Sequence, residues 1–383
     1  MNTPATDLSI LLVGAGQSPH LHGWAAYFVA AGYRVHLLTW HQPDVPGSAA
    51  EPGVTVHHLP GQAVLSRRGL GLARSVWAGW VIRFLMRRHQ IEVLHAHQVI
   101  PYGYWAARSG RHPLVVTAWG SDVLTEPYAS ARAMRYVCTT LARADLITAD
   151  SDHLRRAAVA LGGSAPSHVI PVGVDTALFQ PGGRTAARAL LRIAADTPLV
   201  LSPRALSSVY NIDTIIDSIP LVQQAVPTVR YIIKYGYSAG REAELQQRAT
   251  ALGVAAAVDF VGYTPAAGMS DYYAAADVCV SVASSDSAPK SVLEAMACGT
   301  PVVISDLPWV QEGITAGEQA LLVPARNAPA LAAATIRLLH DPALRAHLGT
   351  AGRRYVVAQA DYATAMARMD ALYRELVATK RKT

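Results

Sequence analysis

Along the chain, short apolar runs alternate with longer stretches in which apolar positions recur at helical spacing. In the first half the runs are Leu8 to Val13, Val35 to Thr39, Ile91 to His95, Leu114 to Ala118 and Leu146 to Ala149. In the second half they are Leu199 to Ser202, Val229 to Lys234, Val258 to Val261, Val278 to Ser281, the β-branched run after Pro301, and Ala320 to Val323. Helical patterns separate them, among them Leu21 to Ala31, Ile212 to Gln224, Arg241 to Leu252 and Met269 to Ala275. Three helices close the chain, over Pro329 to Leu339, Pro342 to Val357 and Asp361 to Thr379. Strand, helix and strand in regular alternation predict parallel sheets with crossover helices, an α/β architecture. The Pro and Gly content of Pro181 to Gly183 predicts a linker. The expected domains are therefore 1-181, 182-360 and a terminal helix 361-383.

Composition narrows the class. The 383 residues are 51% hydrophobic and 16% charged, enough apolar material for two cores and far from a disordered composition. The run after Thr6-Asp7 is too short for a signal sequence or a membrane span and predicts a buried first strand. Cys138, Cys279 and Cys298 stand scattered in apolar surroundings with no paired metal spacing, which suits free thiols in a reducing compartment; neither a disulfide framework nor a zinc site is expected. A net charge of +6 favours an acidic partner such as a nucleotide or an anionic lipid surface. No aromatic-interleaved basic cluster resembling an RNA-binding signature is present, so nucleic acid is not an expected partner.

Several local patterns carry chemistry. Asp286 opens a loop, a helix of good formers carries Glu294, and Gly299 with Pro301 ends that helix ahead of an apolar strand. The spacing lets two carboxylates approach one site at different depths. Gly14-Ala15-Gly16 resembles a dinucleotide fingerprint only in part, since its third glycine falls at Pro19, and NAD binding is excluded. Asp150-Ser151-Asp152 is formally an Asp-x-Asp, yet it stands directly before a helix where Ser and Asp serve as caps, so no metal is expected there. His95-Ala96-His97 and Thr117-Ala118-Trp119-Gly120-Ser121-Asp122 end two strands, where parallel sheets place their sites.

The stretch Pro289-Lys290-Ser291-Val292-Leu293-Glu294-Ala295-Met296-Ala297-Cys298-Gly299-Thr300-Pro301-Val302-Val303 resembles the Glu-x7-Glu signature of retaining, family 4-type glycosyltransferases of GT-B fold, with Asp286 at the first acidic position. Ile170-Pro171-Val172-Gly173-Val174-Asp175 through Phe179 and Pro181 resembles that family's interdomain signature. The resemblance covers nearly the whole chain and implies two Rossmann-like domains facing a cleft. It implies that Arg204 binds the donor diphosphate, Glu294 the nucleotide ribose, and the Asp286 loop with Ser287 and Ala288 the donor sugar, with Lys290, Ser291 and Val292 lining the same site. Tyr210 stands where the family has Lys, and Lys234, ahead of Gly236, is the expected replacement cation. Trp119 stands where the family often has His, so His97 and Asp122 become the remaining polar groups near the reaction centre. Gly16, His20 and His22 lie in the loop that faces the acceptor in the family.

The implied reaction is transfer of a sugar from a nucleoside diphosphate donor to an acceptor hydroxyl with retention, without metal or cofactor. Implied acceptors are carbohydrate or lipid-linked precursors of the cell envelope, or small secondary metabolites. A non-hydrolysing nucleotide-sugar epimerase of the same architecture and a catalytically silent nucleotide-sugar-binding subunit also fit. The 67-90 segment places Arg67, Arg68, Arg74, Arg83, Arg87 and Arg88 around Val76, Trp77, Trp80, Val81, Ile82, Phe84 and Leu85. Such a helix either packs on the sheet with an arginine edge or lies on an anionic membrane surface. The expected location is cytoplasmic, peripheral at the inner face of the cell membrane.

Overall fold

The computed structural model describes residues 8–40, 52–61 and 71–381; Arg67 and Arg68 fall outside these. The described chain forms two compact units, one comprising residues 1–171 and 364–383, the other 172–363. Pro181, where the sequence places the boundary, lies within the second unit. Of the Pro-x-Gly-Val-Asp stretch, Pro171 ends the first unit and Val172 to Asp175 belong to the second, stitched there by hydrogen bonds from Val174 N to Ala360 O (2.8 Å) and from Tyr362 N to Val174 O (3.0 Å). Gly173 has φ +75°, and a Cβ there would meet Tyr362 Cα at 2.8 Å, so the motif's glycine is required on both counts.

Seven parallel strands form the sheet of the first unit: β1 (Ser9–Val13), β2 (Arg34–Thr39), β3 (Val54–His58), β4 (Val93–His97), β5 (Leu114–Ala118), β6 (Leu146–Ala149) and β7 (Ser167–Val169). Their spatial order among the described residues is β3-β2-β1-β4-β5-β6-β7. The direction of strand progression reverses between β1 and β4, which is where such sheets open a ligand site at the strand C-terminal ends. One face packs Leu38, Leu94, Ala96, Val116 and Ile147 against Ile82 and Leu85 of helix Gly71–Arg88, Trp105 of helix Tyr104–Ser109 and Leu141 of helix Ala131–Arg143. On helix Pro19–Ala30, Trp24 lies against His95 and His97 and Phe28 against Tyr373. Tyr373 belongs to the terminal helix Tyr362–Lys380, which buries Met366, Met369, Tyr373 and Val377. His95 pairs with Tyr373 Oη through Nδ1 and with Thr117 Oγ1 through Nε2 at 2.6 Å, so this buried histidine is spent on holding the helix.

Six parallel strands form the second sheet, β8 (Leu199–Ser202), β9 (Arg230–Lys234), β10 (Val258–Val261), β11 (Val278–Ser281), β12 (Val302–Ser305) and β13 (Leu321–Val323). Their order is β10-β9-β8-β11-β12-β13, with the reversal between β8 and β11. All four residues of β8, β11 and β12 are buried, as expected of strands covered on both faces. Helix Ile212–Ala225 packs Ile212, Ile215, Ile216 and Ile219 on Val200, Tyr231, Ile233 and Val280. Elements that the apolar pattern does not reveal are the short or half-exposed β3 and β7 and the arginine-bearing helices Ala131–Arg143 and Arg184–Leu190.

Candidate functional site

In the second unit the sequence candidates converge at the β8/β11 reversal. Arg204 leaves the end of β8, Asp286 follows β11, and helix Lys290–Ala297 carries Lys290, Ser291, Val292 and Glu294. Arg204 donates through Nη2 to Asp286 Oδ2 at 2.6 Å and through Nη1 to Ser291 Oγ at 3.2 Å. Its guanidinium carbon lies 4.0 Å from the centre of the Tyr210 ring. Tyr210 thus covers the arginine, supplying an aromatic face where the family has a second cation. Asp286 Oδ1 accepts from the Ser287 amide at 3.1 Å, and Ala288 has φ +39°, so the loop is tightly turned just before the helix. No side chain caps that helix at Pro289, and its first turn, with its positive dipole end, carries the Ser291 hydroxyl that meets the arginine.

Glu294 lies deeper. Tyr273 Oη donates to its Oε2 at 2.8 Å, and Lys290 Nζ lies 3.9 Å from Oε1 on the preceding turn. Burial raises the Glu294 pKa above the usual carboxylate range, with Lys290 and the Tyr273 hydroxyl acting in the opposite direction. The sequence does not single out Tyr273 as a site residue; its signal there is the family-like Tyr-x-x-Ala-Asp spacing with Ala276 and Asp277, on the helix that precedes β11 and the signature.

Lys234 ends β9 but is buried, its ammonium donating to the Gly262 carbonyl and lying 5.7 Å from the Tyr272 ring centre. Burial pushes its pKa down to about 8. The structure therefore binds this lysine to the loop after β10, and a role on the diphosphate would require it to leave that carbonyl. Gly236 follows in open space, where a Cβ would meet nothing within 4 Å. A surface cavity of about 630 Å³ beside β10, lined by Arg192, Arg230, Asp259, Phe260 and Tyr272, contains none of the candidate residues.

In the first unit the loops after β1, β4 and β5 meet. A Cβ on Gly14 would lie 2.8 Å from Leu21 Cδ2, and one on Gly16 2.7 Å from Thr39 Oγ1, so both glycines serve close packing. The Gly16 amide donates to Thr39 Oγ1 at 2.8 Å, and the Gly16 carbonyl lies 2.6 Å from His22 Nε2. His20 stacks on Trp119 with ring centres 5.1 Å apart, and His97 stacks on the same indole at 5.8 Å. Trp24 meets His97 edge-on at 4.9 Å. His97 is 3% exposed, yet neither ring nitrogen has a hydrogen-bond partner among the described residues. Burial, and after it His20, lowers its pKa to about 3, so the ring is neutral.

Asp122 proves to be a clamp. Its Oδ2 accepts from Val99 N at 2.7 Å and its Oδ1 from Trp119 N at 3.0 Å, joining the loops after β4 and β5. Burial raises its pKa to about 6 against those amide bonds. The sequence groups Asp122 with His97 as reaction-centre groups; the structure engages both its oxygens with backbone. Asp150-Ser151-Asp152 behaves as a cap, with Ser151 Oγ accepting from Leu154 N at 3.2 Å and Asp152 paired to Arg155 at 2.6 Å.

Two parallel-sheet units with site residues gathered at each strand-order reversal define a GT-B glycosyltransferase. Residues 9–151 match the family described as glycosyl transferase 4-like, and residues 183–355 match glycosyl transferases group 1. The chain is 30% identical over 94% of its length to the GDP-mannose-dependent alpha-(1-6)-phosphatidylinositol monomannoside mannosyltransferase of Mycolicibacterium smegmatis, covering 97% of that protein. A D-inositol 3-phosphate glycosyltransferase of Acidothermus cellulolyticus is 33% identical over 60% of this chain, a match that spans 50% of that relative. Among solved structures, sucrose-phosphate synthase from Thermosynechococcus elongatus superposes with a TM-score of 0.84 at 24% identity, over 97% of this chain and 100% of that one. The chain belongs to the group 1, family 4-like glycosyltransferases.

Proposed function

We propose that the protein transfers a sugar from a nucleoside diphosphate donor to an acceptor hydroxyl with retention of anomeric configuration. The observation that carries this reading is the convergence of Arg204, Ser291 and Asp286 at the strand ends of the second unit, with Glu294 deeper on the same helix. In this reading Arg204 and the uncapped helix amides bind the diphosphate and neutralise charge as it departs. Glu294 accepts from the ribose hydroxyls, while Asp286 with the backbone at Ser287 and Ala288 holds the donor sugar. The bond from anomeric carbon to diphosphate breaks as the acceptor oxygen bonds to the same face. The released diphosphate oxygen takes the acceptor proton, so the step uses no protein nucleophile and no metal.

His97, with two open nitrogens beside Trp119, and the Gly16 to His22 loop serve the acceptor side. The name of the mycobacterial relative puts GDP-mannose first among donors and an inositol-bearing lipid first among acceptors. Purified chain would be incubated with GDP-mannose, UDP-glucose and dTDP-glucose, each with phosphatidylinositol mannosides or inositol phosphate, and the product linkage read by NMR. An α-linked product from an α-linked donor is expected. An inverted product, or an epimerised donor with no acceptor requirement, would overturn the reading.

We also propose that the chain works at an anionic membrane face. No helix of the described residues is long and apolar enough to cross a membrane. Helix Gly71–Arg88, however, exposes Leu72, Trp77, Trp80 and Phe84 beside Arg87 and Arg88, a composition suited to the headgroup boundary.

A further inference from the structure

Three histidines outside both sites come together in the first unit. His36 and Leu38 share one face of β2, and His57 pairs in register with Leu38, so His36 and His57 are diagonal neighbours on that face. His89 follows directly on helix Gly71–Arg88, its amide still bonded to Leu85 O at 3.0 Å. His36 Nδ1 lies 3.1 Å from His57 Nε2. Ring centres are 5.3 Å apart for His36 and His57, 4.6 Å for His36 and His89, and 5.3 Å for His57 and His89. One ring nitrogen from each lies within 4.8 Å of the other two.

From this geometry we propose that His36, His57 and His89 form a binding site for a zinc-class divalent cation. Neutral imidazole nitrogens without a carboxylate select Zn(II), Ni(II) or Cu(II) over magnesium or calcium, which want oxygen. Around tetrahedral zinc at bond lengths of about 2.0–2.1 Å, ligand nitrogens stand about 3.3 Å apart. The His36–His57 separation already matches. His89 has to close the remaining gap, and its place just past the helix end, with Gln90 at φ +52°, leaves that movement to one side chain. His57 and His89 are half-buried, so water can fill the fourth position. Arg34 and His58, whose charges act on His36 and His57, oppose a cation, so the site holds exchangeable rather than permanent metal. A bound ion would staple the edge strand β3 to the end of the helix that exposes Trp80 and Phe84. Cysteine spacing and Asp-x-Asp motifs give no sign of it, because the ligands are separated by 21 residues and more and meet only through strand register.

The test uses untagged, chelator-stripped chain titrated with zinc chloride by calorimetry. One site is expected in the wild type and in His58→Ala, with affinity at least tenfold weaker in His57→Ala and His89→Ala. Zinc should also raise the melting temperature of the wild type and not of those two variants. Identical isotherms in all four proteins would overturn the proposal. Because a variant can lose structure, zinc-edge X-ray absorption on the loaded wild type provides a second reading. Imidazole scattering is expected, and an oxygen-only shell would overturn the proposal.

Discussion

Arg204 and Asp286 are held to each other across 2.6 Å in a nearly buried ion pair, with Tyr210 stacked over the guanidinium. Under the proposed function, the cation assigned to the donor diphosphate and the carboxylate assigned to the donor sugar are thus each oriented by the other. Such preorganisation is worth more inside a protein than in water. Removing either partner leaves the other charge poorly compensated. Arg204→Ala should therefore weaken nucleotide-sugar binding by about a hundredfold, read by calorimetry. Asp286→Ala should chiefly lower turnover, and Asp286→Asn, which keeps a hydrogen bond to Arg204, should retain more donor affinity than Asp286→Ala. The reverse order would mean the two side chains do not act as a unit.

Glu294 separates stability from binding. Its folded pKa is raised by burial, so the folded state holds its proton more tightly than the unfolded chain does. The contribution of Glu294 to stability is complete below its ordinary pKa and is lost as pH rises through the raised folded value. Above that value the carboxylate is ionised while buried, the form that the proposed function uses to accept from the ribose hydroxyls. Glu294→Gln should accordingly match or exceed the wild-type melting temperature at pH 7 while weakening nucleotide binding. A variant that loses stability and keeps affinity would place Glu294 in the frame rather than the site.

His97 carries the opposite sign. Its folded pKa is lowered to about 3, so stability from keeping it neutral is present above the ordinary histidine value of 6.5 and is lost as pH falls toward 3. Buried His95, also held down, contributes in the same direction, and His20 adds its own charge to the effect on His97. In His97→Phe the loss of stability between pH 6.5 and pH 4 should be shallower, as followed by thermal melts. Turnover should drop by about tenfold, the worth of one lost hydrogen bond to substrate. The wild-type rate should show no inflection between about pH 5 and 8 from this residue, since it does not charge there.

Much of this is legible in the sequence. The strand–helix alternation yields both sheets, because strands covered on two faces are written as unbroken apolar runs such as Leu199 to Ser202. The pairing of Arg204 with Asp286 is not legible. Both read as ligand groups, and periodicity says nothing about which side chains meet across loops 82 residues apart. Lys234 and Asp122 show the same limit from the other side. Each has a residue type and strand-end setting that suits chemistry, and each is engaged with backbone, Lys234 at Gly262 and Asp122 at Val99 and Trp119. His36, His57 and His89 escape notice because β3 is a half-exposed edge strand without a clear apolar signal.

Helix Gly71–Arg88 admits two readings from sequence, a packed helix with an arginine edge or a membrane-surface helix; the structure shows the packed face, and its exposed face is what the membrane proposal rests on. Ala78, Ile82, Leu85 and Met86 are buried, and Gly79 lets the backbone at Arg108 and Ser109 approach to 3.0 Å of where a Cβ would stand. The opposite side leaves Trp80 and Phe84 each 64% exposed, with Arg83 lying 5.8 Å from the Trp80 ring centre and bonded to the Ser109 carbonyl. Water is a poor environment for that stripe, and the rim of an anionic bilayer suits both the rings and the guanidinium groups. Co-sedimentation with phosphatidylglycerol vesicles should fall by about tenfold or more in Arg87→Glu with Arg88→Glu, at roughly 1 kcal/mol per arginine lost. Trp80→Ala with Phe84→Ala should weaken binding to the same vesicles even at high salt, where the arginine contribution is screened. Since all four side chains are exposed, melting temperatures should change little. Equal sedimentation of wild type and both double variants would refute the membrane assignment and leave the exposed stripe without a partner.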